Sequence, residues 1–261
     1  METLEVERSE QGVVTITLNR PERKNAINGT MWAELLTTFR DIAASRDDRV
    51  VVLTGAGGAF CSGADLSSGA INEGEPRQHQ LTFMRRVNAV ALSLQQLPQP
   101  TIAKVGGVAA GAGANLALGC DLIVASDEAR FSEIFARRGL SIDAGGSWIL
   151  PRLIGLHRAK ELAFFADVIS AKEADAFGIV NRVVPAGELD AFVDEWAGRL
   201  AAGPPIALAQ TKRLLNNGGA VTLEQALDAE GAAQTINVAT ADVAEAIRAF
   251  LDKREPHFEG H

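Results

Sequence analysis

Thr101–Ser126 reads TIAKVGGVAAGAGANLALGCDLIVAS, and the fold turns on how this stretch is read. Thr101–Val105 has the β-branched, apolar character of a short strand, and Leu122–Ala125 has it again. Between them lies a turn built almost wholly of Gly and Ala, running into a helical segment from about Gly113 to Gly119. Gly106, Gly107, Gly111 and Gly113 carry no side chain to keep a ligand off the backbone. A turn of this kind opening into a helix aims free N–H groups outward, where they favour negative charge. The stretch predicts a site for an anion, or for an oxygen that becomes one during reaction.

The sequence excludes two familiar anion sites. A phosphate loop would end in Gly-Lys-Ser/Thr, and no Lys follows Gly113; a dinucleotide fingerprint needs a third Gly where Leu116 stands. A plain packed strand–turn–helix would also fit a single such block. The second block decides between them. Val50–Thr54 reads as a buried strand and runs into GAGGAFCSGADL (Gly55–Leu66). Two strand-then-turn units, each offering backbone N–H groups, are what an oxyanion hole requires.

Phe60-Cys61-Ser62-Gly63-Ala64-Asp65-Leu66 resembles the F-x-x-G-x-D-[LI] block of the crotonase (enoyl-CoA hydratase/isomerase) family. Ala109–Ala117 resembles its A-x-G-G-G-x-E-L-A block, and Asn19-Arg20-Pro21, Asn25-Ala26 and Ala249–Arg254 match as well. The resemblance implies an α/β (α+β) fold, a spiral of ββα units with a C-terminal helical region. It implies division into a core over 1–200 with the CoA site and a helical trimerisation region over 201–261. It further implies that the N–H groups of Ala64 and Ala112 hold the thioester oxygen of an acyl-CoA. Ala26, Ser62, Asp65, Leu66 and Gly111 then fall among the substrate contacts, mostly through backbone, and Lys24 is placed to meet the CoA phosphates. An exposed Lys in a polar loop is equally well read as solvated. No cofactor is implied beyond the CoA that belongs to the substrate, and the assembly implied is a homotrimer or a dimer of trimers.

Composition sets the bounds. The chain has 261 residues, enough for a large core, with 47% hydrophobic and 22% charged residues. Its formal net charge of −8 argues against nucleic acid or an anionic membrane as partner. Cys61 and Cys120 both sit in apolar blocks and read as buried thiols of a reducing compartment, and METLEVERSEQ has no apolar h-region, so a cytoplasmic location is expected. His79, His157, His257 and His261 are scattered without ligand spacing, so no metal site is expected.

Working outward, Leu4–Arg8 and Val13–Leu18 read as strands about a Glu10-Gln11-Gly12 turn, followed by a helix over about 28–44. Ser67 to Arg77 reads as a loop, and Gln78 to Gln96 as a helix ended by Leu97-Pro98-Gln99-Pro100. Ala129–Ser132 reads as a strand. Beyond Gly145 the pattern predicts almost nothing but helix, with capping boxes at Ser170–Glu173 and Thr222–Gln225 and further helices near 188–202, 206–216, 223–237 and 241–253.

The chemistry is where this chain departs from the hydratases it resembles. Hydratases carry two glutamates that activate water; alignment on the Gly blocks puts Asn115 and Phe135 at those places, and neither is acidic. Glu133 lies two positions from the second. Where hydratases usually have Gly, this chain has Asp143, and the resemblance there is to the family's isomerases, which place a catalytic Asp at that position. Two roles stand open for Asp143: a base toward carbon, or an N-cap for the helix that follows Gly145. The functions open are an acyl-CoA isomerase that shifts a double bond or opens a ring epoxide, a hydratase using Glu133, a hydrolase or dehalogenase with Asp143 as nucleophile, and a non-catalytic acyl-CoA binder.

Overall fold

The computed structural model describes residues 1–66 and 79–261. Strands β1 (Leu4–Arg8) and β2 (Val13–Leu18) form an antiparallel hairpin, and the alternation in β2 turns Val14, Ile16 and Leu18 inward. Helix α1 (Gly29–Ala44) starts where the Asn28 side chain accepts the Met31 N–H, and buries Met31, Trp32, Leu35, Phe39 and Ile42. Strand β3 (Val50–Gly55) is apolar from Val50 to Leu53 because both its faces are covered. Val51 and Leu53 face the core that α1 shares with α2 (Gln80–Gln95); Val50 and Val52 face the other way.

The chain then winds. Strand β4 (Thr101–Val105), β5 (Val108–Ala110) and α3 (Ala112–Leu118) form one strand–strand–helix unit. Strand β6 (Leu122–Ser126), β7 (Arg130–Ser132) and, after a short 3-10 turn, α4 (Gly146–Ile154) form the next. The first strands of the two units pair in one sheet, Ile102 opposite Leu122, and the second strands pair in another, Val108 opposite Arg130. That is the ββα spiral expected from the sequence. Beyond it come α5 (Leu156–Phe165), β8 (Ile169–Ser170), α6 (Ala171–Phe177), β9 (Arg182–Val184), α7 (Leu189–Ala201), α8 (Pro205–Gly218), α9 (Leu223–Val238) and α10 (Ala241–Asp252). The larger sheet runs β1-β2-β3-β4-β6-β9, parallel apart from the first hairpin, and the smaller runs β5-β7-β8. Helix α7 closes the second face of the larger sheet with Leu189, Val193 and Ala197.

Three short strands depart from the expectation. Strand β5 lies inside the Gly/Ala turn, and β8 and β9 interrupt the stretch that reads as helix alone. Two or three residues are too few to show a period, so pairing with a neighbour, not pattern, makes them strands. Both capping boxes are present, at Ser170 with Glu173 and at Thr222 with Gln225. The loop expected over 67–77, with Gln78, lies outside the described residues.

The two Gly-rich turns are stitched together. Phe60 and Cys61 N–H both donate to the Val108 carbonyl, at 3.0 and 2.9 Å, and Ala110 N–H donates to the Cys61 carbonyl at 2.9 Å. A Cβ at Gly113 would lie 2.4 Å from the Cys61 carbonyl oxygen, which is backbone and cannot swing aside. Gly113→Ala is expected to cost about 1–3 kcal/mol by forcing these turns apart. A lower urea midpoint with an unchanged m-value would show it.

Candidate active site

The first turn is held from outside by three side chains. Asn25, fully buried, donates its Nδ2 to the Ala56 and Ala59 carbonyls, both at 2.8 Å, and accepts the Arg20 N–H on Oδ1. Arg20 reaches the Asp65 carboxylate at 2.8 Å and also the Ala26 carbonyl. The Asp65 carboxylate is thereby turned inward, where it holds the turn. Arg20 and Asn25 were legible only as motif residues, since nothing in their spacing says that they clamp a loop 31 to 45 residues away.

Ile27 N–H donates to the Gly63 carbonyl (2.8 Å), and Asp65 N–H donates to the Ile27 carbonyl (2.9 Å). Ala64 stands between these bonds, exposed, and its own N–H has no acceptor among the described residues. The second turn offers the same. Gly111 takes φ +53°, which a side chain would strain, and its N–H donates to the Ser132 carbonyl at 2.9 Å. Ala112 follows as the first residue of α3, and its N–H too is unpaired among the described residues. A Cβ built on Gly63 would sit 3.8 Å from the Ala112 nitrogen, so the turns touch beside these two donors. Around them, Ala26 is buried, Ser62 is half-buried with its N–H on the Lys24 carbonyl (3.0 Å), and Lys24 and Leu66 are exposed.

Asp143 is tied to α3 through Asn115. The Asn115 carboxamide, 1% exposed, donates Nδ2 to the Asp143 carbonyl at 2.9 Å and to Glu133 Oε2 at 3.4 Å. Gly146 packs against it so closely that a Cβ there would fall 2.3 Å from Asn115 Oδ1. Asp143 does not cap α4. The cap position belongs to Gly145 with no side-chain bond, and only the Asp143 carbonyl takes the Gly146 N–H (3.0 Å). Its carboxyl accepts no hydrogen bond among the described residues, and Oδ1 is buried. Burial therefore pushes this carboxyl up to about 6. Phe135, 7% exposed, supplies one apolar wall, its ring near Gly111. Cys61 plays no nucleophilic part here: burial pushes its thiol up to about 12.

Two unpaired N–H groups from separate turns and one desolvated carboxyl can stabilise an enolate oxygen while a proton leaves carbon. The family model described as enoyl-CoA hydratase/isomerase matches residues 8–261. The 1,2-epoxyphenylacetyl-CoA isomerase of Escherichia coli is 39% identical over 96% of each chain. The trans-2-decenoyl-acyl-carrier-protein isomerase of Streptococcus mutans is 33% identical, again over 96% of each. An enoyl-CoA hydratase structure from Bacillus anthracis superposes with TM-score 0.93 at 36% identity, covering 99% of this chain and all of that one. Matched over nearly its whole length in sequence and in fold, the chain belongs to the enoyl-CoA hydratase/isomerase family.

Proposed function

We propose that the protein is an acyl-CoA isomerase. The thioester oxygen sits between the N–H groups of Ala64 and Ala112, and Asp143 takes the acidic proton from C2 of a 3-enoyl-CoA. The resulting dienolate carries its charge on the held oxygen. Asp143 returns the proton to C4, leaving the 2-enoyl thioester with no atom gained or lost. Opening of a ring epoxide would use the same oxygen site, and the Escherichia coli relative is named a 1,2-epoxyphenylacetyl-CoA isomerase. The observation that carries this reading is the Asp143 carboxyl, raised by burial and, among the described residues, free of hydrogen bonds where a helix cap would have engaged it. The reaction so assembled calls for no cofactor beyond the CoA of the substrate.

Water addition fits this site poorly. Asn115 and Phe135 stand where a hydratase would hold water, and the Glu133 carboxyl is buried behind Asn115. Double-bond migration in a 3-enoyl-CoA is therefore expected to outrun hydration of crotonyl-CoA by at least about 100-fold, the usual contribution of a placed acid or base. An acyl-CoA panel read by mass spectrometry tests this, and fast hydration would overturn it.

We also propose the homotrimer or dimer of trimers, with 201–261 as its assembling region. Leu223, Leu227, Ile236, Phe250 and Leu251 of α9 and α10 are exposed in the single chain, more apolar surface than a monomer usually leaves wet. Sedimentation equilibrium should return three or six chains; a monomer would refute it. No helix among the described residues is long and apolar enough to cross a membrane.

A further inference from the structure

Glu133 is the buried titratable group that the proposed reaction leaves unused. It follows β7 directly and is 4% exposed. One side of its carboxyl meets Asn115. Glu133 also lines a cavity of about 20 Å³, walled mainly by Leu118, Phe131, Leu150, Leu162 and Ile169, with Ser132 beside it. No cation faces the carboxyl among the described residues. The polar group it meets on α3 is the Asn115 amide, beside apolar Ala114 and Leu118; α4 and α5 present apolar side chains, and the loop before α4 brings the negative Asp143. Burial, with Asp143 adding to it, pushes Glu133 up to about 8.

The amide between the two acids is confined. Gly146 covers it, and its single NH2 group serves both the Asp143 carbonyl and Glu133. Asn115 Oδ1 is buried without a donor among the described residues. An ionised Glu133 has no proton to offer that oxygen, whereas a neutral one does. A charged carboxylate also draws an amide N–H more strongly than a neutral acid.

We propose that Glu133 is a positioning residue for Asp143: neutral, it leaves the Asn115 amide committed to the Asp143 backbone, and on ionising it draws that amide away and sets a second negative charge beside the base. The proposal rests on Asp143 being the base. Its consequence is a fall in kcat, with KM unmoved, as pH rises through about 8. In Glu133→Gln, which cannot ionise, the acid limb should stay and the alkaline fall should vanish.

Infrared spectra of the substrate-free protein test the same point without turnover. The carbonyl stretch of a protonated carboxyl should be present at neutral pH, disappear through about 8, and be absent from Glu133→Gln. In Asp143→Asn it should disappear at lower pH, because the neighbouring charge is gone. A band missing at neutral pH, a titration that Asp143→Asn does not move, or an alkaline fall that persists in Glu133→Gln would each overturn the proposal. Should Glu133→Gln fail to fold, the wild type against Asp143→Asn decides it. Undiminished turnover by Asp143→Asn would instead refute Asp143 as base, while the infrared titration still reports the charge on Glu133.

Discussion

Asp143→Asn is expected to lower the isomerase rate by about 10²–10⁴-fold or more, the range spanned by a positioned base, and to leave thioester affinity within a few-fold. The substitution keeps the shape of the side chain and the backbone carbonyl that Asn115 holds, so the loss falls on chemistry and not on folding. Deuterium exchange from solvent into the acyl chain should stop with it. The acid limb belongs to the same group. A base works ionised, so kcat/KM should fall as pH drops through about 6 in the wild type. The stability sign runs the other way. A carboxyl raised in the folded state holds its proton more tightly there, so its contribution is complete below the unfolded value and lost as pH rises through about 6. Turnover in oxygen-18 water distinguishes base from nucleophile. A proton shuttle keeps both oxygens of Asp143, whereas hydrolysis of an acyl ester can leave solvent oxygen in the side chain. Label in the peptide that contains Asp143 would sink the isomerase mechanism, and wild-type activity in Asp143→Asn would remove its catalytic role.

Ala112→Pro is expected to lower kcat by about 10²–10³-fold, the effect of deleting one oxyanion donor. Ala112 is the first residue of α3 and its N–H has no acceptor among the described residues. Proline is well tolerated at that position, because the N–H it lacks is one the helix never uses. The substitution thus removes the donor and little else. No truncation of a side chain can do the same, since the group is backbone. Thioesters should bind the wild type more tightly than free CoA, and the variant should narrow that gap. Calorimetry gives the affinities and stopped-flow turnover gives kcat; an unchanged rate in a folded Ala112→Pro would remove the second donor from the site.

Much of this was legible along the chain because it is written locally. The two Gly/Ala blocks are each contiguous, so each could be read as a turn offering backbone N–H groups before any contact was known, and the resemblance they carry pointed to Ala64 and Ala112. The capping boxes at Ser170 and Thr222 span four residues and needed no tertiary information. Strands β5, β8 and β9 were not legible, because a two- or three-residue strand is defined by its partner. The inward turn of Asp65 was hidden for a related reason: its partner Arg20 lies 45 residues earlier.

The sequence by itself determined the two strand-then-turn Gly/Ala units, both capping boxes and the non-acidic residues at 115 and 135. Those are matters of residue type and short-range spacing; the spiral, and donors at Ala64 and Ala112, were what the family resemblance implied. Only the tertiary structure decided between cap and free carboxyl at Asp143, and only it placed Glu133 behind Asn115. Asp ahead of a helix is chemically able to do either. Which it does depends on whether the chain presents an N–H to its carboxyl, and here Gly145 takes the cap position while Asn115, from another helix, pins the backbone. Desolvation is likewise a property of what packs around a group, so no reading of neighbours in sequence could have given these two acids their raised proton affinities.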